Sequence, residues 1–222
     1  MLDAPTSMSC TRSRRVITRG HAQRVGRFPS QKVGRMIHWE STLERDLILQ
    51  LEFDRDVLGY REQPDPIRLI IGGKSHTYTP DFEVWRRNGR VIIEVKAEAW
   101  LLDTELQDRL AAAHAHFAGE GIRFEVLTER LIRAQPRLEN LELLVLRHSK
   151  TRVIQGALRI AQEVLSANAN VKYGDLACAL GRAGIDRAQI DAQICAMIRR
   201  HDIEADLGKA LRRTILVLPK QA

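Results

Sequence analysis

The sequence predicts a mixed α/β domain, a sheet flanked by helices, followed by a small, mainly helical domain. Three observations carry this. Leu43, Leu47, Ile48 and Leu51 recur at spacings of three and four, the apolar stripe of an amphipathic helix. Short apolar runs at 67–71, 78–85 and 91–96 are separated by the turn pairs Gly72-Gly73 and Asn88-Gly89, which reads as a β-meander. Beyond residue 150 the periodicity returns to that of helices.

In chain order, residues 1–35 are rich in Arg, Gly and Ser without apolar periodicity and read as a basic flexible tail. The helix of the Leu43 stripe runs to about Phe53, with Ser41 or the turn before it as cap. Gln63-Pro64-Asp65-Pro66 cannot be helix interior, so the strands follow it. A helix is expected over 101–118, a strand over 122–127 and a further helix over 131–146, giving the order α-β-β-β-α-β for a domain at 36–148. Within 149–222, helical patterns at 153–165, 173–180 and 187–200, with Gly181 and Gly184 between the last two, precede a hairpin at 202–207 and 214–218. That succession suggests a winged helix-turn-helix.

A chain of 222 residues, 44% hydrophobic and 28% charged, is long enough to bury real cores, which excludes wholesale disorder. No run of about eighteen apolar residues occurs and no apolar stretch follows the basic N-terminus, so neither a membrane span nor a signal peptide is expected, and the protein reads as cytoplasmic. Cys10, Cys178 and Cys195 lie far apart, which argues against structural zinc or a disulfide framework. The net charge of +7 is segregated. Residues 1–37 hold eight Lys and Arg against one acid, residues 38–149 fifteen against twenty, and residues 150–222 twelve against seven. Basic ends around an acidic middle fit a protein whose ends grip phosphates while its middle holds divalent cations, with double-stranded DNA as partner.

The Asn88-Gly89 turn places the chemistry. A two-residue loop sets Arg87 opposite Arg90 and, counting outward, Glu83 opposite Glu94 and Asp81 opposite Lys96. Phe82, Val84, Ile93 and Val95 then form an apolar face, while Asp81, Glu83, Glu94 and Lys96 share the other. Opposed carboxylates are destabilising without a cation between them, and Mg²⁺, with Mn²⁺ able to replace it, meets that need. Glu40 and Glu44, four residues apart beside the Leu43 stripe, could add a helical carboxylate. Such a cradle suits phosphodiester hydrolysis, Lys96 orienting or deprotonating water and stabilising the charge that develops on phosphate.

These residues also carry a resemblance. His38 to Asp46, Leu51-Glu52-Phe53-Asp54, Arg61-Glu62-Gln63-Pro64, Tyr78-Thr79-Pro80-Asp81-Phe82 and Ile93-Glu94-Val95-Lys96 resemble, in order and spacing, the nuclease domain of TnsA-type transposon endonucleases. The resemblance implies a restriction-endonuclease-like fold of the PD-(D/E)xK superfamily. It also implies catalytic roles for Glu44, Asp81 and Lys96 with Glu94 as second ligand, and hence the metal set Asp81, Glu94 and Glu44. A further acidic residue of some relatives falls here near Ala113, so that ligand looks absent. By the same resemblance the protein would cut one strand at transposon ends beside a TnsB-type transposase and a TnsC-type ATPase regulator. A stand-alone nuclease of a mobile element or defence system, and a DNA-binding regulator with a vestigial nuclease fold, are the alternatives. Arg199, Arg200, Arg212 and Arg213 read equally as phosphate contacts or as a solvated rim, and His114 and His116, two apart on a helix, make a poor metal pair.

Overall fold

The computed structural model describes residues 24–219. The chain divides into two compact units, one reaching to Arg133 and the other beginning at Ala134.

The first unit is built on a four-stranded sheet of order β3-β6-β7-β8. Strands β3 (Val57–Glu62), β6 (Phe82–Arg86) and β7 (Gly89–Val95) run antiparallel, and β8 (Arg123–Leu127) lies parallel to β7. A parallel neighbour needs a crossover, supplied by a short 3-10 turn at Glu98–Leu102 and the helix α2 (Thr104–Gly119). Both sheet faces are covered. One presents Phe82, Val84, Val91 and Ile93, each at most 1% exposed. The other packs Ile92 and Phe124 with Ala113 and Phe117 of α2 and with Leu69 and Tyr78. The last two belong to a hairpin of β4 (Ile67–Ile71) and β5 (Lys74–Tyr78), whose turn residues Gly72 and Gly73 have φ of 56° and 76°, a conformation glycine adopts without penalty.

Helix α1 (Thr42–Phe53) buries Leu43, Leu47, Ile48 and Leu51, the predicted stripe. Ser41 is its cap: the hydroxyl accepts the Glu44 N–H at 3.1 Å. Asp46 is buried in the same helix and meets both Arg45 and, at 2.6 Å, Arg133 just after α3 (Glu129–Ile132).

Three readings of the sequence need correction. Residues 1–23 of the expected tail lie outside the described residues, but Gly26–Pro29 form β1, paired with β2 (Met36–Trp39). Charge holds this hairpin rather than periodicity: Glu52 accepts from Ser30 Oγ and from the Gln31 and Lys32 N–H groups, and Glu62 accepts two bonds from Arg35. The expected meander is broken at Thr79-Pro80-Asp81, so β5 pairs only with β4, and β6 pairs with β3, a strand not anticipated. Pro80 has no N–H to give a ladder. The third concerns register: Arg86 pairs with Gly89 and Glu83 with Ile92, so Arg87 and Asn88 form the loop. The slip of two residues keeps every side chain on its predicted face.

In the second unit, α4 (Arg137–Leu141) continues as a π-turn to Arg147, so part of the helix expected over 131–146 belongs here, interrupted at Pro136. Helices α5 (Gln155–Ala167), α6 (Tyr173–Arg182) and α7 (Arg187–Arg199) follow. Short strands β9 (Val171–Lys172), β10 (Glu204–Ala205) and β11 (Ile215–Val217) make a sheet of order β10-β11-β9. Asn140 donates to the carbonyls of Leu207 and Lys209, fixing the segment between β10 and β11.

Candidate active site

The C-terminal end of β7 and the break before β6 bring Asp81, Glu94 and Lys96 together. Alternation puts Glu94 and Lys96 on the sheet face that also carries Ile92, and the turn at Thr79-Pro80-Asp81 delivers the aspartate beside them. The Lys96 ammonium lies 2.6 Å from Glu94 Oε1 and 3.7 Å from Asp81 Oδ2. Each carboxylate is also fixed from elsewhere. Asp81 Oδ2 accepts the Val95 N–H at 2.7 Å, and the Asp81 carbonyl accepts the Gln63 N–H at 2.8 Å. Glu94 Oε2 accepts the Tyr78 hydroxyl at 2.7 Å in a buried bond. Tyr78 is a member of the site that sequence reasoning missed, since nothing in its local pattern says which acid its hydroxyl meets.

Charge balance is incomplete here. Burial, then the neighbouring Glu94, push the Asp81 carboxyl to about 8, against the opposing pull of Lys96. The two carboxylates in turn hold the Lys96 ammonium above its ordinary value despite burial.

Glu44 and Glu40 stand differently from expectation. Glu40 precedes the helix cap, so the two acids do not share a helical face, and its carboxylate accepts from Gln63 Nε2 at 2.6 Å. The Glu44 carboxylate turns back on the helix start and accepts the Glu40 N–H at 2.8 Å and the Ser41 hydroxyl at 2.9 Å. Its charge is still felt by Asp81 and Lys96. Burial raises the Glu44 carboxyl above the usual carboxylate range.

Glu83 leaves the site. The register places it opposite Ile92, where Arg61 at 2.5 Å and Arg90 at 3.1 Å neutralise it. Ala113 is fully buried in the core, so α2 offers no carboxylate at that position.

A cleft of about 520 Å³ opens on the centre, lined by Asp81, Glu94, Lys96, Tyr78, Thr77, Thr79, Glu40, Gln63, Pro66, Leu106 and Arg109. Among the described residues no group of three or more His, Cys, Asp or Glu side chains is gathered for a metal ion, so the expected trio with Glu44 does not form as a closed cradle. Asp81 and Glu94 nonetheless fit a hard divalent cation. They are two oxygen donors short of positive charge and open to a solvent-filled cleft, and Mg²⁺ keeps several waters of its own.

In the second unit, Arg200 bridges Asp202 at 3.0 Å, Arg212 bridges Asp191 at 2.7 Å, Arg199 reaches the Thr151 carbonyl, and Arg213 is exposed. None of the described helices is long and apolar enough to cross a membrane.

No curated protein matches the chain. Residues 54–129, which include Asp81, Glu94 and Lys96, match the family model described as TnsA-like endonuclease N terminal, so this stretch of the chain is similar to that nuclease domain.

Proposed function

We propose that the protein is a divalent-metal-dependent DNA endonuclease whose catalytic residues are Asp81, Glu94 and Lys96, with Glu44 contributing charge from the start of α1. The observation that carries this reading is the Lys96 ammonium held against two converging carboxylates at the mouth of a polar cleft, within the segment that matches the TnsA-like family. Asp81 and Glu94 would hold Mg²⁺ or Mn²⁺. When bound, such a cation supplies Lewis acidity at phosphate and a water of lowered pKa.

The chain's own residues do the rest. The Val95 N–H and the Tyr78 hydroxyl lock the carboxylates, which removes their freedom to turn away as charge changes. Lys96 stands where it can hold the attacking water by hydrogen bond and balance negative charge developing on the phosphate oxygens. The site's partial burial strengthens that interaction over its value in water.

By extension from the family, the cut falls on one strand at transposon ends, in an assembly with a TnsB-type transposase and a TnsC-type ATPase. The second unit's order α5-β9-α6-α7-β10-β11 supports a winged helix-turn-helix, with the N-terminal turn of α7 offering exposed Arg187 and Gln189 to a groove. The domain division proposed is a nuclease domain that includes the β1-β2 hairpin, followed by this DNA- or partner-binding domain.

Nicking of supercoiled plasmid in Mg²⁺ or Mn²⁺ tests the assignment. Wild type cuts, and Asp81→Asn and Lys96→Ala each fall by about 10²-fold or more. Undiminished cutting by both variants would refute it.

A further inference from the structure

The cleft has a cation that the chemistry above does not use. Arg109 lines it from α2, together with Leu106, and Asp81, Glu94 and Lys96 line the same cleft. The ion-pair partner of Arg109 is Glu105 one helical turn back, at 3.1 Å, with that glutamate 84% exposed. An exposed pair at this spacing is weak, so the guanidinium can exchange partners at little cost.

Electrostatics give it a task. The cleft lining carries Glu40, Asp81 and Glu94 against Lys96 and Arg109. Lys96 is engaged by two carboxylates, so its charge is already balanced from the viewpoint of an incoming polyanion. Until a cation occupies the centre, a phosphodiester entering this cleft meets the Glu40 and Glu94 carboxylates with Lys96 already engaged, and Arg109 is the lining residue whose positive charge is uncommitted to the centre. Helix α2 therefore presents a guanidinium to the cleft, while Ala113 of the same helix is closed in the core. A guanidinium matches two non-bridging phosphate oxygens at once, as an ammonium does not.

We propose that Arg109 is a phosphate-binding residue that clamps the DNA backbone in the cleft, releasing Glu105 as it does so. The proposal rests on the nuclease reading and adds the group that admits the substrate's anion.

The test uses the whole chain and a short fluorescein-labelled DNA duplex in Ca²⁺, with affinity measured by anisotropy over a series of salt concentrations. A phosphate contact is blind to sequence, so any mixed-sequence duplex serves. Arg109→Ala weakens binding and makes the slope of log K against log [salt] shallower by about one. Arg109→Lys keeps the slope but loses part of the affinity, and Glu105→Gln binds at least as tightly as wild type. A merely helical role for the Arg109 and Glu105 pair would move neither slope nor affinity, and Glu105→Gln would then change no more than Arg109→Ala. Wild-type binding with an unchanged slope in Arg109→Ala overturns the clamp and leaves the nuclease reading intact. Failure of wild type to bind duplex DNA overturns both.

Discussion

The Glu44 carboxylate acts in two places. Its oxygens complete the start of α1, and its charge reaches Asp81 and Lys96. Substitution separates the two. Glu44→Ala keeps the Ser41 cap but loses both bonds that the carboxylate accepts, and costs about 1 kcal/mol in denaturant unfolding. Glu44→Gln keeps an acceptor for the Glu40 N–H, so its stability stays close to wild type while its nicking rate falls. Asp81 gives a prediction with a definite pH course. A carboxyl raised in the folded state makes folding less favourable as pH climbs from the unfolded value of 3.8 to about 8, because the native state resists releasing the proton. Asp81→Asn, which retains an acceptor for the Val95 N–H, removes that cost. In metal-free buffer its midpoint of thermal unfolding is therefore above wild type at pH 8, by an amount worth about 1–3 kcal/mol, and the gap narrows toward pH 4. A gap that does not change with pH would contradict the assigned shift. The nearness of Glu94 and Lys96 was legible in sequence because strand alternation puts them on one face and a slip of two residues does not alter it, whereas Asp81 reaches them from the turn before β6. Tyr78 was not legible, because its bond to Glu94 joins two hairpins that no local pattern links.

At the scale of elements, the amphipathic stripe of α1, the helical pattern of α2 and the strands at 91–96 and 122–127 could be read because periodicity reports local structure directly. The missed elements are those whose burial is achieved by charge. Strand β1 sits in an arginine-rich stretch, yet its hairpin is tied down by Glu52 and Glu62 from α1 and β3. Strand β3 was obscured by Gly59 at an irregularity of register and by the buried acid Glu62. Asp46 plays a comparable part in α1. It is 2% exposed and draws Arg133 from beyond α3, which itself also donates to Thr42. Asp46→Ala removes the buried carboxylate that Arg45 and Arg133 share, and both guanidinium groups reach solvent, so the cost is about 1–3 kcal/mol rather than that of a fully buried broken pair. Urea unfolding measures it, and a change below the error of that method would show that the helix contact is held by packing alone.

At the scale of the molecule, acidic charge is concentrated in the middle of the sequence and basic charge toward its ends, and the structure explains where the acids go. Glu52, Glu62, Asp46 and Glu83 are neutralised inside the first unit by arginines, by N–H groups or by hydroxyls. Asp81 and Glu94 instead face a cleft with one ammonium between them. That contrast is what supports the proposal of a cation site at this pair. Cation binding is therefore the most direct measurement, made by titrating Mn²⁺ into the whole chain by calorimetry near neutral pH in buffers of different ionisation enthalpy. Wild type is expected to bind with release of a proton, as the cation displaces it from Asp81, and binding is lost in Asp81→Asn and Glu94→Gln and retained in Glu44→Gln. Absence of binding by wild type, or binding undiminished in both Asp81→Asn and Glu94→Gln, would contradict a cation site at this pair.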